Sequence, residues 1–209
     1  MPKTKATFIE PMLLLRTEKL PQGADWLYEI KLDGYRALAI KSGGKVQLRS
    51  RNDNDFTERY SSIAAALRTV PDETVLDGEL VALDEEGRPS FNLLQNYPSS
   101  KAALVFFIFD VLILRGRNVM TEPLSERRAL LKKHVLPKLV EPIRYSPELK
   151  ARLPQLIASV KSAGLEGLVA KRRNSRYEPG QRSGVWQKMR VNQVRDFVIG
   201  GYKAGPSMR

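Results

Sequence analysis

The stretch YEIKLDGYRALAI, Tyr28 to Ile40, decides how the rest of the chain is read. Apolar residues at 26–30 and 35–40 predict two strands, and Asp33-Gly34 between them predicts a tight turn. Lys31, at the end of the first strand, has two readings: a packed stem with its ammonium in water, or a nucleophile. The second reading carries a chemical cost. With an ordinary pKa near ~10.4, the neutral amine lies about 4 to 5 kcal/mol uphill at pH 7, so the site must supply burial, cations or a metal. Arg36, just past the turn, adds a planar fork of donors suited to an anion.

Working outward, Gly43-Gly44 predicts a hairpin turn into a strand at 46–48. Thr57 is expected to cap a helix over 58–67, where Tyr60, Ile63, Ala64 and Leu67 recur at helical spacing. A strand over 75–83 ends in the turn-like Asp84-Glu85-Glu86-Gly87, and 104–114 is apolar at nearly every position, as in a central strand. Ser125 is expected to cap a helix to about residue 138. A second helix falls between 147 and 163, ended by Gly164. Strands at 167–172 and 185–190 return to the β pattern. Without regular βαβ alternation, the prediction is an α+β domain of mostly antiparallel sheets flanked by helices, spanning residues 1–190. Residues 196–202 read as one more strand. Because a lone strand is not stable, 191–209 are expected to be a linker and the first strand of a further domain absent from these 209 residues.

Composition narrows the function classes. No apolar run approaches the roughly 20 residues of a membrane span, and the apolar stretch 12–15 is too short for a signal-peptide core, so the expectation is a soluble cytoplasmic protein. The chain has no cysteine, which excludes disulfides, thiolate metal sites and cysteine nucleophiles. With His134 as its one histidine, a zinc site is disfavoured as well. A formal charge of +12, from 35 Lys+Arg against 23 Asp+Glu, favours a polyanionic partner such as nucleic acid. Local basic concentrations occur at Arg127-Arg128, Lys132-Lys133 and Lys171-Arg172-Arg173.

The spacing Lys31-x-Asp33-Gly34-x-Arg36 resembles motif I of the covalent nucleotidyltransferases, which comprise DNA ligases, RNA ligases and mRNA capping enzymes. Later segments match that family in order and spacing. They are SRND (50–53), LDGELVALD (76–84, like motif III), FFIFDVL (106–112, like motif IIIa), EGLVAKR (166–172, like motif IV) and WQKMR (186–190, like motif V). The resemblance covers about residues 8 to 200. It is nearest to ATP-dependent bacterial ligases of the ligase D type, which share the continuation RDFVIGGY (195–202).

This resemblance implies a covalent nucleotidyltransferase fold and a set of roles. Lys31 is the nucleophile that takes AMP from ATP, as a DNA ligase does before passing it to the 5′-phosphate of nicked double-stranded DNA. Glu29 is implied to read the adenine amino group, with a backbone contribution from Ile30. Phe109, in preference to Phe107, is implied to stack on the base. Glu79 and Glu166 take metal and ribose duties with Mg²⁺ or Mn²⁺, since hard oxygen ligands suit those ions. Lys188 and Arg190 share a strand face and are implied to hold the α-phosphate, although the family carries lysine at both positions. Arg36 and Arg51 are implied to touch ribose or nick phosphate. A ligase D parent further implies double-strand-break repair with Ku and with polymerase and phosphoesterase domains, in a monomer associated with the bacterial nucleoid. The absent domain would be an OB-fold, so weak activity is expected of these residues by themselves. Two other readings stand beside this one: an RNA ligase or capping-type enzyme, and a DNA-binding fragment without turnover. SRND and RDFVIGGY favour the DNA ligase.

Overall fold

A computed structural model describes residues 3–191. The strand expected at 196–202, with RDFVIGGY, lies outside the described residues. In chain order the elements are β1 (Leu15–Arg16), β2 (Trp26–Lys31), β3 (Tyr35–Ser42), β4 (Lys45–Ser50), α1 (Ser61–Ala66), β5 (Thr74–Leu83) and α2 (Phe91–Gln95). There follow β6 (Ala103–Leu114), β7 (Arg117–Asn118), α3 (Leu124–His134), β8 (Ile143–Tyr145), α4 (Leu153–Ser162), β9 (Gly167–Arg172) and β10 (Trp186–Arg190). The strands form two sheets, one ordered β1-β10-β9-β2 and the other β4-β3-β5-β6-β7 with β8 added beside β6. Pairing is antiparallel except at β1–β10 and β6–β8, so the α+β architecture read from the sequence holds.

Side-chain alternation stacks the sheets. On β3, Ala37 and Ala39 face a core shared with Ile63 of α1 and Leu94 of α2, while Leu38 and Ile40 face a second core between the sheets. That second core receives Leu27 from β2, Phe109 and Leu112 from β6 and Trp186 from β10. A third core packs Leu153, Leu156 and Val160 of α4 on Tyr28, Leu168 and Met189 of the outer sheet face. The order is therefore helices, six-stranded sheet, four-stranded sheet, helix. The chain steps from one sheet to the other at Leu32-Asp33-Gly34, between β2 and β3. Gly34 is required there: a Cβ at this position would lie 2.2 Å from the Leu80 carbonyl oxygen on β5.

Most expected strands appear within a residue or two, and Gly43 and Gly44 both take positive φ (56° and 75°) in the two-residue β3–β4 turn. Two helix starts differ from expectation. Residues 57–60 form turns and α1 begins only at Ser61. Thr57 instead accepts a hydrogen bond from the Leu48 N–H at 3.1 Å, which ties it to β4. Ser125 lies inside α3, whose N-cap is Pro123, and its N–H donates to the Arg173 carbonyl at 2.9 Å. The helix expected to run to 138 ends at His134 and is followed by a 3₁₀ turn, Leu136–Lys138. The sequence reading lacked β1, β7, β8 and α2.

Candidate active site

The inner face of the four-stranded sheet is set by register. Lys31, Glu29 and Leu27 lie opposite Gly167, Val169 and Lys171 on β9, and those in turn lie opposite Arg190, Lys188 and Trp186 on β10. Period-2 alternation thus aims one row from each strand at the opposing sheet, with Glu29, Lys31, Lys171, Lys188 and Trp186 among its members. The opposing sheet contributes Arg36 from β3, Glu79 from β5 and Phe109 from β6. Between the two rows runs a cleft of about 620 Å³, lined by Glu29, Lys31, Arg36, Glu79, Phe109 and Lys188 among others. This volume lies in the range that takes a small organic ligand.

At one end of the cleft, Lys31 forms an ion pair with Glu166, both only about one-seventh exposed. The other Glu166 oxygen accepts from Arg190 Nε at 2.9 Å. Arg190 shares a strand face with Lys188, as expected, but it is spent on this pairing and largely exposed, whereas Lys188 lines the cleft. The Lys188 ammonium makes no hydrogen bond among the described residues, and burial together with Lys31, Arg190 and Arg182 holds its pKa below the ordinary lysine value. Gly167 lets β10 come close: a Cβ there would lie 2.1 Å from the Met189 carbonyl oxygen.

Across the cleft, Glu79 has no ion-pair partner among the described residues. Burial raises its pKa to about 7, against the opposing pull of Arg36 and Lys31. Arg36 is held from behind. Its Nε and Nη2 donate to the two oxygens of Asp77 at 2.6 Å each, and the Tyr177 hydroxyl donates to Asp77 at 2.7 Å. The Arg36 guanidinium carbon sits 4.9 Å from the Phe109 ring centre. Arg51, exposed, lies at the cleft rim.

The other end is deeper. Glu29 is 3% exposed and accepts from Arg128, from Lys171 Nζ at 2.9 Å and from Ser146 Oγ at 3.3 Å. The Lys171 ammonium lies 3.9 Å from the Phe109 ring centre, and burial lowers its pKa despite the Glu29 charge. Phe109 lines this cleft, whereas Phe107 lines a separate, mostly apolar depression with Leu83 and Leu165. Ile30 contributes to both.

Of the residues given a role from the sequence, Glu29, Ile30, Lys31, Arg36, Arg51, Glu79, Phe109 and Lys188 line this cleft, and Glu166 and Arg190 adjoin it through Lys31. The sequence reading missed the residues behind them: Asp77, Lys171, Trp186, Arg128, Ser146 and Tyr177. Three of these stood inside quoted segments, with Asp77 in LDGEL, Lys171 in EGLVAK and Trp186 in WQKMR. One reading is corrected. Arg127, Arg128 and Lys171, counted among basic concentrations open to a polyanion, are buried and paired with Asp110 and Glu29.

This fold is that of solved ligases. It matches a structure of "mycobacterial DNA ligase D complexed with ATP and MES" with a TM-score of 0.78 and 35% identity, covering 87% of this chain and 60% of that one. The family described as "ATP dependent DNA ligase domain" matches residues 11–190, and the chain belongs to it. Curated relatives include the multifunctional non-homologous end joining protein LigD of Pseudomonas aeruginosa, 38% identical over 198 residues, and that of Mycobacterium tuberculosis, 38% identical over 194. These alignments take in 93% and 90% of this chain but 23% and 24% of the relatives, so the chain spans about a quarter of their length. No helix among the described residues is long and apolar enough to cross a membrane.

Proposed function

We propose that this chain is the adenylating part of an ATP-dependent DNA ligase. Lys31 Nζ attacks the α-phosphorus of ATP; the N–P bond forms, the bond to the bridging oxygen breaks and pyrophosphate departs with the electron pair. Attack needs the neutral amine, so Lys31 gives up its pairing with Glu166 and a proton to solvent. The 5′-phosphate of a nick then displaces the lysine to form a DNA adenylate. The 3′-hydroxyl next attacks that phosphate and releases AMP, which closes the strand.

The single observation that carries this reading is the placement of Lys31 at a sheet-to-sheet crossing, in a cleft walled by Phe109 on one side and, on the other, by Lys188, which has no ion-pair partner among the described residues. Phe109 offers a ring for the base, Lys188 a charge for the α-phosphate, and Arg36 and Arg51 donors for ribose and nick phosphate. Arg190 retains positive charge in a position bound to Glu166, so its share in holding phosphate comes second to that of Lys188.

Glu79 lines the cleft and Glu166 pairs with Lys31 beside it, and both are hard oxygen donors. This fits Mg²⁺ or Mn²⁺, which one or two carboxylates and a triphosphate can hold together. Such a cation, when bound, neutralises charge that develops on the phosphate oxygens.

Because the curated relatives are named as end-joining proteins, we place the reaction in DNA break repair. Nicked duplex is the substrate, and Ku and the polymerase and phosphoesterase units of a longer protein are the partners. A bacterial cytoplasmic, nucleoid-associated monomer is part of the same proposal. So is the division at residue 190, with 191–209 leading toward an OB-fold domain. The test is transfer of label from α-labelled ATP to the protein with Mg²⁺. Label should be lost in Lys31→Ala and kept in Lys132→Ala, and equal labelling of both variants overturns the reading. Labelling with GTP in preference to ATP, or joining of nicked RNA alone, would favour the capping or RNA-ligase reading.

A further inference from the structure

The deep end of the cleft is braced by a side chain outside every short motif quoted from the sequence. Arg128 lies on α3 in LSERRALLKKH, and its side chain is 6% exposed. Its Nη1 donates to the Glu29 carboxylate and, at 3.4 Å, to the Phe109 carbonyl; its Nη2 donates to the Ser146 carbonyl at 3.0 Å. Glu29 belongs to β2 of the four-stranded sheet, Phe109 to β6 of the six-stranded sheet, and Ser146 follows β8. One planar group therefore ties together three segments drawn from both walls of the cleft. The Tyr145 ring covers it, 4.9 Å from the guanidinium carbon.

The acceptor count at Glu29 gives this bracing a consequence. An ionised carboxylate accepts about four hydrogen bonds. Arg128 occupies one place on Oε1, and Lys171 and Ser146 occupy two on Oε2. About one place remains, on the oxygen whose position Arg128 sets. The same guanidinium sets the Phe109 backbone, and with it the ring that forms the wall of the cleft.

We propose that Arg128 is the positioning residue for base selection: it fixes the remaining Glu29 acceptor relative to the Phe109 ring, so that a purine carrying a 6-amino donor is preferred. Lysine cannot replace it, because an ammonium is a point charge that does not span three acceptors in one plane. This inference rests on the adenylation reaction proposed above.

The test compares ATP with purine riboside triphosphate, which lacks only the 6-amino group, as donors for lysyl-nucleotide formation. Wild type should prefer ATP by at least about tenfold, since an unmet buried acceptor penalises the analogue. Arg128→Lys should cut that preference to within about threefold, chiefly by raising the KM for ATP with little change in kcat. Arg128→Gln should do the same, and circular dichroism shows whether it folds; if it does not, the lysine variant alone decides. A merely structural role lowers both substrates in proportion to the folded fraction and leaves the preference intact, a result that overturns the inference. A wild type that labels Lys31 without distinguishing the two nucleotides also overturns it and spares the adenylation reading. A wild type that forms no lysyl-nucleotide at all refutes both.

Discussion

Arg36 and Asp77, on neighbouring strands β3 and β5, meet through two parallel hydrogen bonds of 2.6 Å, and Asp77 is fully buried. Burial opposes the Arg36 charge, yet Asp77 outweighs it and raises the guanidinium pKa. Tyr177 adds a third bond to Asp77, and its own oxygen accepts the Met12 N–H at 3.0 Å. Removing one partner of a buried pair leaves the other uncompensated. Asp77→Ala is therefore expected to cost about 3–5 kcal/mol of stability. Tyr177→Phe, which removes hydrogen bonds but no charge, should cost about 1–3 kcal/mol. Urea unfolding of the two variants checks the order, and equal losses would show that the ion pair adds nothing beyond the hydroxyl.

Two of the three phenylalanines of β6, Phe107 and Phe109, distinguish the proposed base binding from packing. Phe109 lines the cleft and Phe107 lines the apolar depression beside it. Phe109→Leu should raise the KM for ATP roughly tenfold, in line with the worth of one stacked base. Phe107→Leu should change it little. Steady-state adenylation of both proteins decides the matter, and the opposite ranking would move the base to the other pocket.

Gly34→Ala tests the crossing between the sheets. The new methyl meets a backbone carbonyl of β5 at 2.2 Å, which no side-chain rotation relieves. Displacement of the crossing by this overpacking should cost about 1–3 kcal/mol. Because Lys31 and Arg36 flank the crossing, adenylate formation should fall more than the folded fraction does. A variant with unchanged adenylation and unchanged melting temperature would mean that β2 and β3 are not held this closely.

The legible parts of the molecule are those in which local chemistry and tertiary demand agree. YEIKLDGYRALAI could be read because strand, turn and strand each carry their own signal, and because the charged residues at strand ends recur in order along the chain. Thr57 and Ser125 misled because each has ordinary capping chemistry, yet tertiary partners claimed both: β4 for the Thr57 hydroxyl and the Arg173 carbonyl for the Ser125 N–H. Two- and three-residue strands such as β1 and β8 exist only because a longer neighbour pairs with them, so they leave no periodic trace. Arg128 was hidden because Arg127-Arg128 reads as one of several local basic concentrations. A trace was available in its register, since Leu124, Arg128 and Leu131 fall at i, i+4 and i+7 on one buried stripe.

The segment carrying Ser146 gives a pH test. Its ends are pinned to both sheets, by the Ser146 N–H to the Ile108 carbonyl and by the Leu149 N–H to the Tyr28 carbonyl, both at 2.8 Å. Between them Glu148 pairs with Arg173, whose hydrogen bonds hold the Glu148 pKa below its ordinary value of 4.5. A carboxylate depressed in the folded state contributes stability that is fully present above the unfolded pKa and is lost as pH falls through the folded one. The pair is partly exposed, 38% at Arg173 and 27% at Glu148, so Glu148→Gln should cost no more than about 1 kcal/mol at pH 7. Urea unfolding at about pH 3 should find the difference between the two proteins greatly reduced. A difference that persists undiminished in acid would exclude the ion pair as its source.

In the proposed reaction Lys31 carries the nucleotide. Peptide mapping of the protein after reaction with α-labelled ATP and Mg²⁺ tests it most directly, because Lys171 and Lys188 line the same cleft and are the natural competitors. The AMP adduct is expected on the peptide containing Lys31, and is released when pyrophosphate is added back. An adduct on Lys171 or Lys188, with Lys31 unmodified, would contradict it.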